Sequence, residues 1–476
     1  MLRKECFMVR AGRKTESGSY RAQEENPGRN PGGHSCGVKS CPCVGRNSDP
    51  QDQQLLQQVV ETENMHKAWA KVKSNKGAAG VDGRDIEETL VYLRKNWPTI
   101  RKKILEGTYQ PQPVLRVTIP KPGGGVRQLG IPTLLDRLIQ QAIAQVLAPF
   151  FEPHFSESSY GFRPGRNAHE AVKKARDYQK EGKRWVVDMD LKQFFDEVDH
   201  DILMSRIGRK VKDKNLKRFI NAILKAGIQE RENILSSDRG TPQGGPLSPL
   251  LSNIILDDLD KELEKRGHSF VRYADDCNIY VRSSKAGERV MQSLTKFVEE
   301  KLKLKVNREK SAVDRPWKRI FLGFSFTAEK KNPRIRIPAK SIKGVKGNLK
   351  TLFRRGRGRN LKRFIQEDLN PVLRGWLNYF KLGEVKSYAD EIDMWIRHQL
   401  RCNIWRQWKR TYTRYKGLRG RGLGKQRSWC SSQNGRGPWW NSGATHMNEA
   451  FKKSYFDGLG LYSLVNELER VRKVSI

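Results

Sequence analysis

Three carboxylates in two distant stretches of this chain are the residues best suited to chemistry. Asp190 ends the run Arg184 to Asp190 (RWVVDMD), and Asp275 and Asp276 stand together inside an apolar stretch from Phe270 to Val281. An adjacent acid pair at a tight turn is by itself ordinary, because Asp is a common turn former. The reading changes because the pair lies between two apolar strands while Asp190 ends a third that can meet it. Three carboxylates converging on a sheet repel one another unless a divalent cation shares them, and hard oxygen ligands in that number suit Mg²⁺. Two such ions about 4 Å apart would clamp an in-line phosphoryl transfer. Asp188 shares the strand face of Asp190 two residues on. Its role is open between a supporting partner and a structural residue, with the structural one favoured.

The elements that must position these groups follow from periodicity. Residues 53–72 carry a helical pattern, GAAGVDG at 77–83 interrupts it, and a polar helix runs on to Leu105. Residues 116–131 read as two β-branched runs joined by a Pro-Gly turn, hence a hairpin carrying Lys121 and Arg127 near one loop. Leu138, Ile139, Ala142, Ile143, Val146 and Leu147 recur at helical spacing, so 134–151 is a core helix closed near Pro149. Residues 184–190 form a strand, 201–226 a helical region, 270–281 two strands, and 319–337 a second hairpin turning at 330–333. Beyond Lys340 helical segments rich in Arg and Trp take over, and 437–476 reads as a small helical unit.

Composition narrows the partners. The chain has 476 residues, 92 Lys+Arg and 52 Asp+Glu, a formal net charge of +40. Such charge attracts a polyanion through many phosphate contacts and counterion release, which points to nucleic acid. Residues 401–430 hold ten Lys/Arg, no Asp or Glu, and the rings of Trp405, Trp408, Tyr412, Tyr415 and Trp429. A one-sign face with aromatics can track a phosphate backbone while its rings stack on bases or pack inward. No run of about 18 apolar residues is present, so no membrane span is expected. Seven Cys at this size do not make a disulfide framework, which suits a reducing compartment. His34, Cys36, Cys41 and Cys43 match no paired zinc-knuckle spacing. Their Gly-, Ser- and Arg-rich surroundings predict a weakly ordered leader over 1–50.

The motifs carry a resemblance. YADD at 273–276 resembles the YxDD box of reverse transcriptases, and its neighbours are similar to blocks of the bacterial group II intron reverse transcriptase/maturase family. These are GAAGVDG at 77–83, IPKPGGGVRQLGIPTLLDRLIQQAI at 119–143, SYGFRPGRNAHEAV at 159–172, DMDLKQFFDEVDH at 188–200, GTPQGGPLSPLLSNIILDDLD at 240–260, LKLKVNREKS at 302–311 and FLGFSF at 321–326. LNPVLRGWLNYF at 369–380 resembles the maturase (X, thumb) domain. Gln128 departs from the family pattern, where Pro commonly follows the Arg.

The resemblance implies an α+β right-hand polymerase: fingers, a palm with an antiparallel sheet, a helical thumb/maturase domain and a small C-terminal helical segment. The implied boundaries are 51–337 for fingers and palm, 338–425 for the thumb/maturase domain and 426–476 for a C-terminal DNA-binding-like segment. With no Cys after Cys430, no paired-Cys HNH endonuclease is expected there. By the same resemblance Asp190, Asp275 and Asp276 are catalytic and hold two Mg²⁺ ions with the Leu191 carbonyl. Lys121 and Arg127 hold the triphosphate, Phe195 is the sugar gate, and Gln243 touches template and nucleotide. Lys310 aligns with the lysine proposed to protonate pyrophosphate, with Lys303 and Lys305 close by. FLGFSF is the primer grip.

Arg163, Arg166 and Arg374, with Arg406, Arg410 and Arg414 in the basic run, are expected to contact RNA. Asp136 and Arg137 suit a helix-end salt bridge or a template contact equally, and Gly375, Trp376 and Tyr379 are expected to pack the thumb. The implied partners are group II intron RNA, an RNA template with a DNA primer, dNTPs and target DNA. The implied setting is the bacterial cytoplasm, with association to the nucleoid. Two other readings stay open: an RNA-binding splicing maturase with little use for polymerisation, and a free-standing relative serving DNA repair.

Overall fold

The computed structural model describes residues 54–120, 126–230, 233–235, 239–241 and 244–474. The four leader residues His34, Cys36, Cys41 and Cys43, and the expected site residues Lys121 and Gln243, lie outside them. Its strands in chain order are β1 (Val114–Pro120), β2 (Val126–Ile131), β3 (Trp185–Met189), β4 (Ile228–Glu230), β5 (Asn233–Leu235), β6 (Ser269–Tyr273), β7 (Asp276–Val281), β8 (Ala312–Asp314), β9 (Ser325–Phe326) and β10 (Ile335–Arg336). Two compact units divide the chain: the residues up to Phe150 with His200–Ser248, and Phe151–Asp199 with Pro249 onward.

The first unit holds the sheet β2-β1-β4-β5. β1 and β2 form the expected hairpin, and Arg127 lies in it opposite Ile119. The helix Leu134–Phe151 starts where Thr133 and Asp136 exchange bonds: the Thr133 hydroxyl donates to the Asp136 carboxylate (2.6 Å) and accepts from its N–H (3.0 Å). Asp136 also receives the Tyr109 hydroxyl and the Gln112 N–H. Arg137 donates to the carbonyls of Pro132 and Ala78, drawing in the 77–83 loop. Both residues are therefore spent on local structure, without a salt bridge between them. The helical region at 201–226 is two helices, His200–Gly208 and Lys214–Leu224. Asp213 caps the second through the N–H groups of Asn215 and Leu216, while its other oxygen accepts from Leu56 N–H.

The second unit is built on the antiparallel sheet β6-β7-β3-β8. Val186, Val271 and Tyr280 pack with Ala171, Val172, Ala175 and Tyr178 of the helix Ala168–Lys180. Val187, Val281 and Val313 surround Gly287 of the helix Ser284–Lys301, where an added Cβ would lie 2.5 Å from Val313. The expected hairpin at 319–337 has only two residues in each strand, and a tighter turn precedes it. Leu322 and Gly323 both take positive φ (49° and 77°) between reciprocal bonds joining Phe321 and Phe324, each 2.9 Å. Tyr379 donates its hydroxyl to the Leu322 carbonyl (2.8 Å) and stacks on Phe324.

From Ile337 to Leu468 the helices share one core, in which Leu349, Phe364, Leu373, Ile396 and Trp405 meet Met447, Phe451, Phe456 and Leu464. The segment after 425 is thus packed into the same body as the helices before it. Trp376 is buried there as expected, whereas Gly375 is open to solvent.

Candidate active site

Register brings the carboxylates together. In the β3–β7 pair Asp188 faces Asn278 and Met189 faces Cys277, so the next step along sets Asp190 against Asp276. Alternation then puts residues 188, 190, 276 and 278 on one face of the sheet. β6 and β7 close through the pair Tyr273 and Asp276, which leaves Ala274 and Asp275 as a two-residue turn. Ala274 has φ 57°, a left-handed conformation that costs an L-residue about 1 kcal/mol. The surroundings must hold it.

Asp190 is anchored by its own backbone. Its N–H donates to Ser311 Oγ (3.0 Å), and its carbonyl accepts from Asn307 N–H (2.8 Å). Lys192 N–H donates to the Lys305 carbonyl (2.8 Å). The bridge between Leu191 and Val306 therefore uses the backbone of residues 190 and 192 and leaves the Leu191 carbonyl out of it.

Among the described residues no three His, Cys, Asp or Glu side chains close around one point. Asp190 instead has the Lys310 ammonium 3.4 Å away. The acids are nonetheless close enough to act on one another. Burial pushes the Asp276 carboxyl up to about 8, and the charges of Asp188, Asp275 and Asp190 push the same way. Such mutual crowding, with Lys310 beside Asp190 and Arg319 beside Asp188, is the electrostatic condition a divalent ion would relieve, so the donor set fits one.

The lysines separate by geometry. Lys305 pairs with Glu197 (3.0 Å) and Lys310 with Asp190, so of the alternatives Lys310 is the one at the carboxylates. Asp188 is held by Arg319, whose Nε lies 2.7 Å from Oδ2, and Arg319 also donates to the Lys310 carbonyl (2.7 Å). Burial raises the Asp188 pKa above its ordinary value against the pull of Arg319. Sequence reasoning did not single out Arg319; an Arg at the foot of a hairpin gives no local sign of a partner 131 residues away. Phe195 is half-buried on the short helix Phe194–Glu197, edge-on to Phe194, after Gln193 in a left-handed conformation (φ 47°).

The expected RNA contacts divide. Arg163 is a correction: it is buried, its Nε bonds Glu152 (2.8 Å), and its other nitrogens serve the carbonyls of Ser156, Ser159 and Glu152. A guanidinium so engaged offers no face to a phosphate. Arg166 is partly engaged with Glu157, its carbonyl and its carboxylate. Arg374 and Arg410 are exposed, with Arg374 lying over the Tyr462 ring. Arg406 and Arg414 line a concave surface with Arg357, Lys409 and Trp405, and Arg414 also donates to the Trp408 carbonyl (2.9 Å).

Residues 119–326 match the reverse transcriptase (RNA-dependent DNA polymerase) family, and residues 342–422 match the group II intron maturase-specific domain. Protein YkfC of Escherichia coli is 33% identical over 301 residues, covering 55% of this chain and 79% of YkfC. The chain belongs to the group II intron reverse transcriptase/maturase family. The group II intron-encoded protein LtrA of Lactococcus lactis is 31% identical over 333 residues, covering 56% of this chain and 55% of LtrA, so the match spans about half of that relative. A partial Cas6-RT-Cas1–Cas2 complex is 27% identical over 52% of this chain and 42% of its own, with a TM-score of 0.34. The reverse transcriptase match makes this family member an RNA-directed DNA polymerase, and chemistry of that class ordinarily uses a divalent metal. No helix among the described residues is long and apolar enough to cross a membrane.

Proposed function

We propose that this chain copies group II intron RNA into DNA at Asp190, Asp275 and Asp276, and that its maturase domain binds the intron RNA to assist splicing and insertion into target DNA. The observation that carries the reading is the β3–β7 register, which sets Asp190 beside Asp276 with Asp275 on the adjoining turn. Two Mg²⁺ ions, when bound, would lower the pKa of the primer 3′-hydroxyl and neutralise charge on the leaving pyrophosphate.

The chain's own residues do the rest. Asp190, Asp275 and Asp276 supply carboxylate ligands and the Leu191 carbonyl a neutral one. Lys310, whose ammonium lies 3.4 Å from Asp190, is assigned through the motif resemblance to protonate the departing pyrophosphate. Phe195 sets a flat wall against the sugar, which selects dNTPs. Lys121, Arg127 and Gln243 are assigned to the triphosphate and template through the motif resemblance. Arg374, Arg406 and Arg410 present charge to RNA, with Arg166 and Arg414 as secondary contacts. A bacterial cytoplasmic setting, where intron RNA and the nucleoid are both reachable, suits these partners.

The test is extension of a DNA primer on an RNA template with Mg²⁺ and dNTPs, beside a parallel intron-RNA binding assay. Asp275→Asn is expected to abolish extension and leave RNA affinity within about twofold. Full extension by that variant would remove the carboxylates from the mechanism. A wild type that binds RNA tightly and extends nothing would leave the binding maturase.

A further inference from the structure

The block SYGFRPGRN at 159–167, whose Arg163 and Arg166 read in sequence as RNA contacts, meets the turn that carries Asp275. Arg272 N–H donates to the Ser158 carbonyl and Tyr160 N–H to the Arg272 carbonyl, each 2.9 Å, so residues 158–160 run alongside the end of β6 as a short parallel bridge. The Arg272 side chain is wholly buried, as is its partner Asp260. Its Nε reaches one Asp260 oxygen (2.7 Å) and Nη2 the other (2.5 Å). Nη2 also donates to Ser159 Oγ (2.8 Å), and Nη1 to Asn253 Oδ1 (3.0 Å) and the Ala274 carbonyl (2.9 Å). All five N–H donors of the guanidinium are used. One of them grips the turn residue itself.

Gly161 also packs against the turn. A Cβ there would lie 2.2 Å from the Ala274 nitrogen and 2.9 Å from the Tyr273 carbonyl carbon, both backbone atoms that cannot swing aside. Asn253 Nδ2 donates to the Gly161 carbonyl (2.9 Å), so the residue that steadies Arg272 also steadies the glycine. Arg163 closes the loop on itself through the carbonyls of Ser156 and Ser159. The left-handed Ala274 is thus held by backbone contact at Gly161 and by a buried cation at its carbonyl.

We propose that Gly161 and Arg272 are positioning residues that fix the Ala274–Asp275 turn, so that Asp275 and Asp276 meet Asp190 in a geometry able to bind a divalent cation. The proposal rests on the metal-dependent reading of the carboxylates. It gives residues 158–161 the support of the turn, in a block where only Arg163 and Arg166 were expected to contact RNA. Neither side chain touches substrate. Their effect passes through backbone placement, where an error of about 1 Å can cost about a hundredfold in rate.

The experiment compares wild type, Gly161→Ala and Gly344→Ala, the last a helix glycine with open space around it. Each is assayed for Mn²⁺ binding to the full chain without nucleic acid, by electron paramagnetic resonance, and for single-nucleotide extension, RNA affinity and thermal midpoint. Gly161→Ala is expected to weaken Mn²⁺ binding several-fold and to lower kcat by about a hundredfold. Its dNTP KM, RNA affinity and midpoint should stay near wild type, and Gly344→Ala should match wild type throughout. A folded Gly161→Ala with wild-type Mn²⁺ binding and kcat overturns the proposal. So does a parallel fall of kcat, RNA affinity and midpoint, which is what a plain packing residue produces.

Should Gly161→Ala fail to fold, Ser159→Ala removes one guanidinium acceptor without adding bulk. A several-fold loss of kcat and Mn²⁺ affinity at unchanged KM then supports the proposal, and no change overturns it. If the wild type extends nothing while Mn²⁺ binding still separates the variants, the polymerase reading fails and the positioning role stands.

Discussion

Asp276 shows what the site demands of single residues. Its carboxyl is pushed up to about 8 from 3.8 by burial and then by Asp188, Asp275 and Asp190, with Arg319 opposing. In metal-free protein the native state therefore keeps a proton that the unfolded chain releases, so stability falls as pH rises from 3.8 toward about 8. Asp276→Asn should flatten that fall and raise the midpoint at the alkaline end. Thermal unfolding in chelator at pH of about 5, 7 and 9 measures it. Mg²⁺ should then raise the wild-type midpoint more than the variant's, because a ligand stabilises only the state that binds it. A wild-type midpoint rising through this range, with the variant parallel to it, would mean the carboxyls do not crowd one another.

At the scale of elements, the tight turn before β9 ties the palm end to the helix Asn370–Phe380 through Tyr379. Gly323→Ala must keep φ near 77° with a Cβ, so it should destabilise by about 1 kcal/mol, and Tyr379→Phe by a similar amount for one lost hydrogen bond. Chemical denaturation of both reads this, and a neutral Tyr379→Phe would mean the hydroxyl is as well served by water. The helix Leu134–Phe151 and the strands around 275 and 276 were legible because their period is local. The split at Asp213 had a signal, an N-cap acid before a renewed apolar pattern, that the long helical reading overran. Arg163 was not legible: Pro and Gly around it suggest an exposed loop, and the carbonyls it serves converge only once 152–159 folds back. The same holds for Arg272, whose acceptors Ser159 and Asn253 lie far away in sequence. Motif resemblance located the acids and Lys310, but it could not say what holds them in place.

For the whole molecule, the question raised by a net charge of +40 is which charges meet a polyanion and which serve the fold. The basic run at 401–430 answers in part. Trp405 is 1% exposed and takes Arg414 over its ring at 4.8 Å, so both belong to the body of the thumb helices. Tyr412 at 67% and Trp429 at 49% face outward, as do Arg406, Lys409 and Arg410. Charge and ring should then act on different observables. Reversing Arg406, Lys409 and Arg410 to Glu, with Arg414 left in place, should weaken RNA binding and flatten the plot of log affinity against log salt by about 2, if each meets one phosphate. Trp429→Ala should lower affinity by about 1 kcal/mol or more where the ring stacks on a base, and leave that slope unchanged, since no counterion is released by stacking. Filter binding across a salt series separates the two. A triple reversal that keeps both affinity and slope would make the run a solvated face, and the polyanion would have to be held by charge elsewhere on the chain.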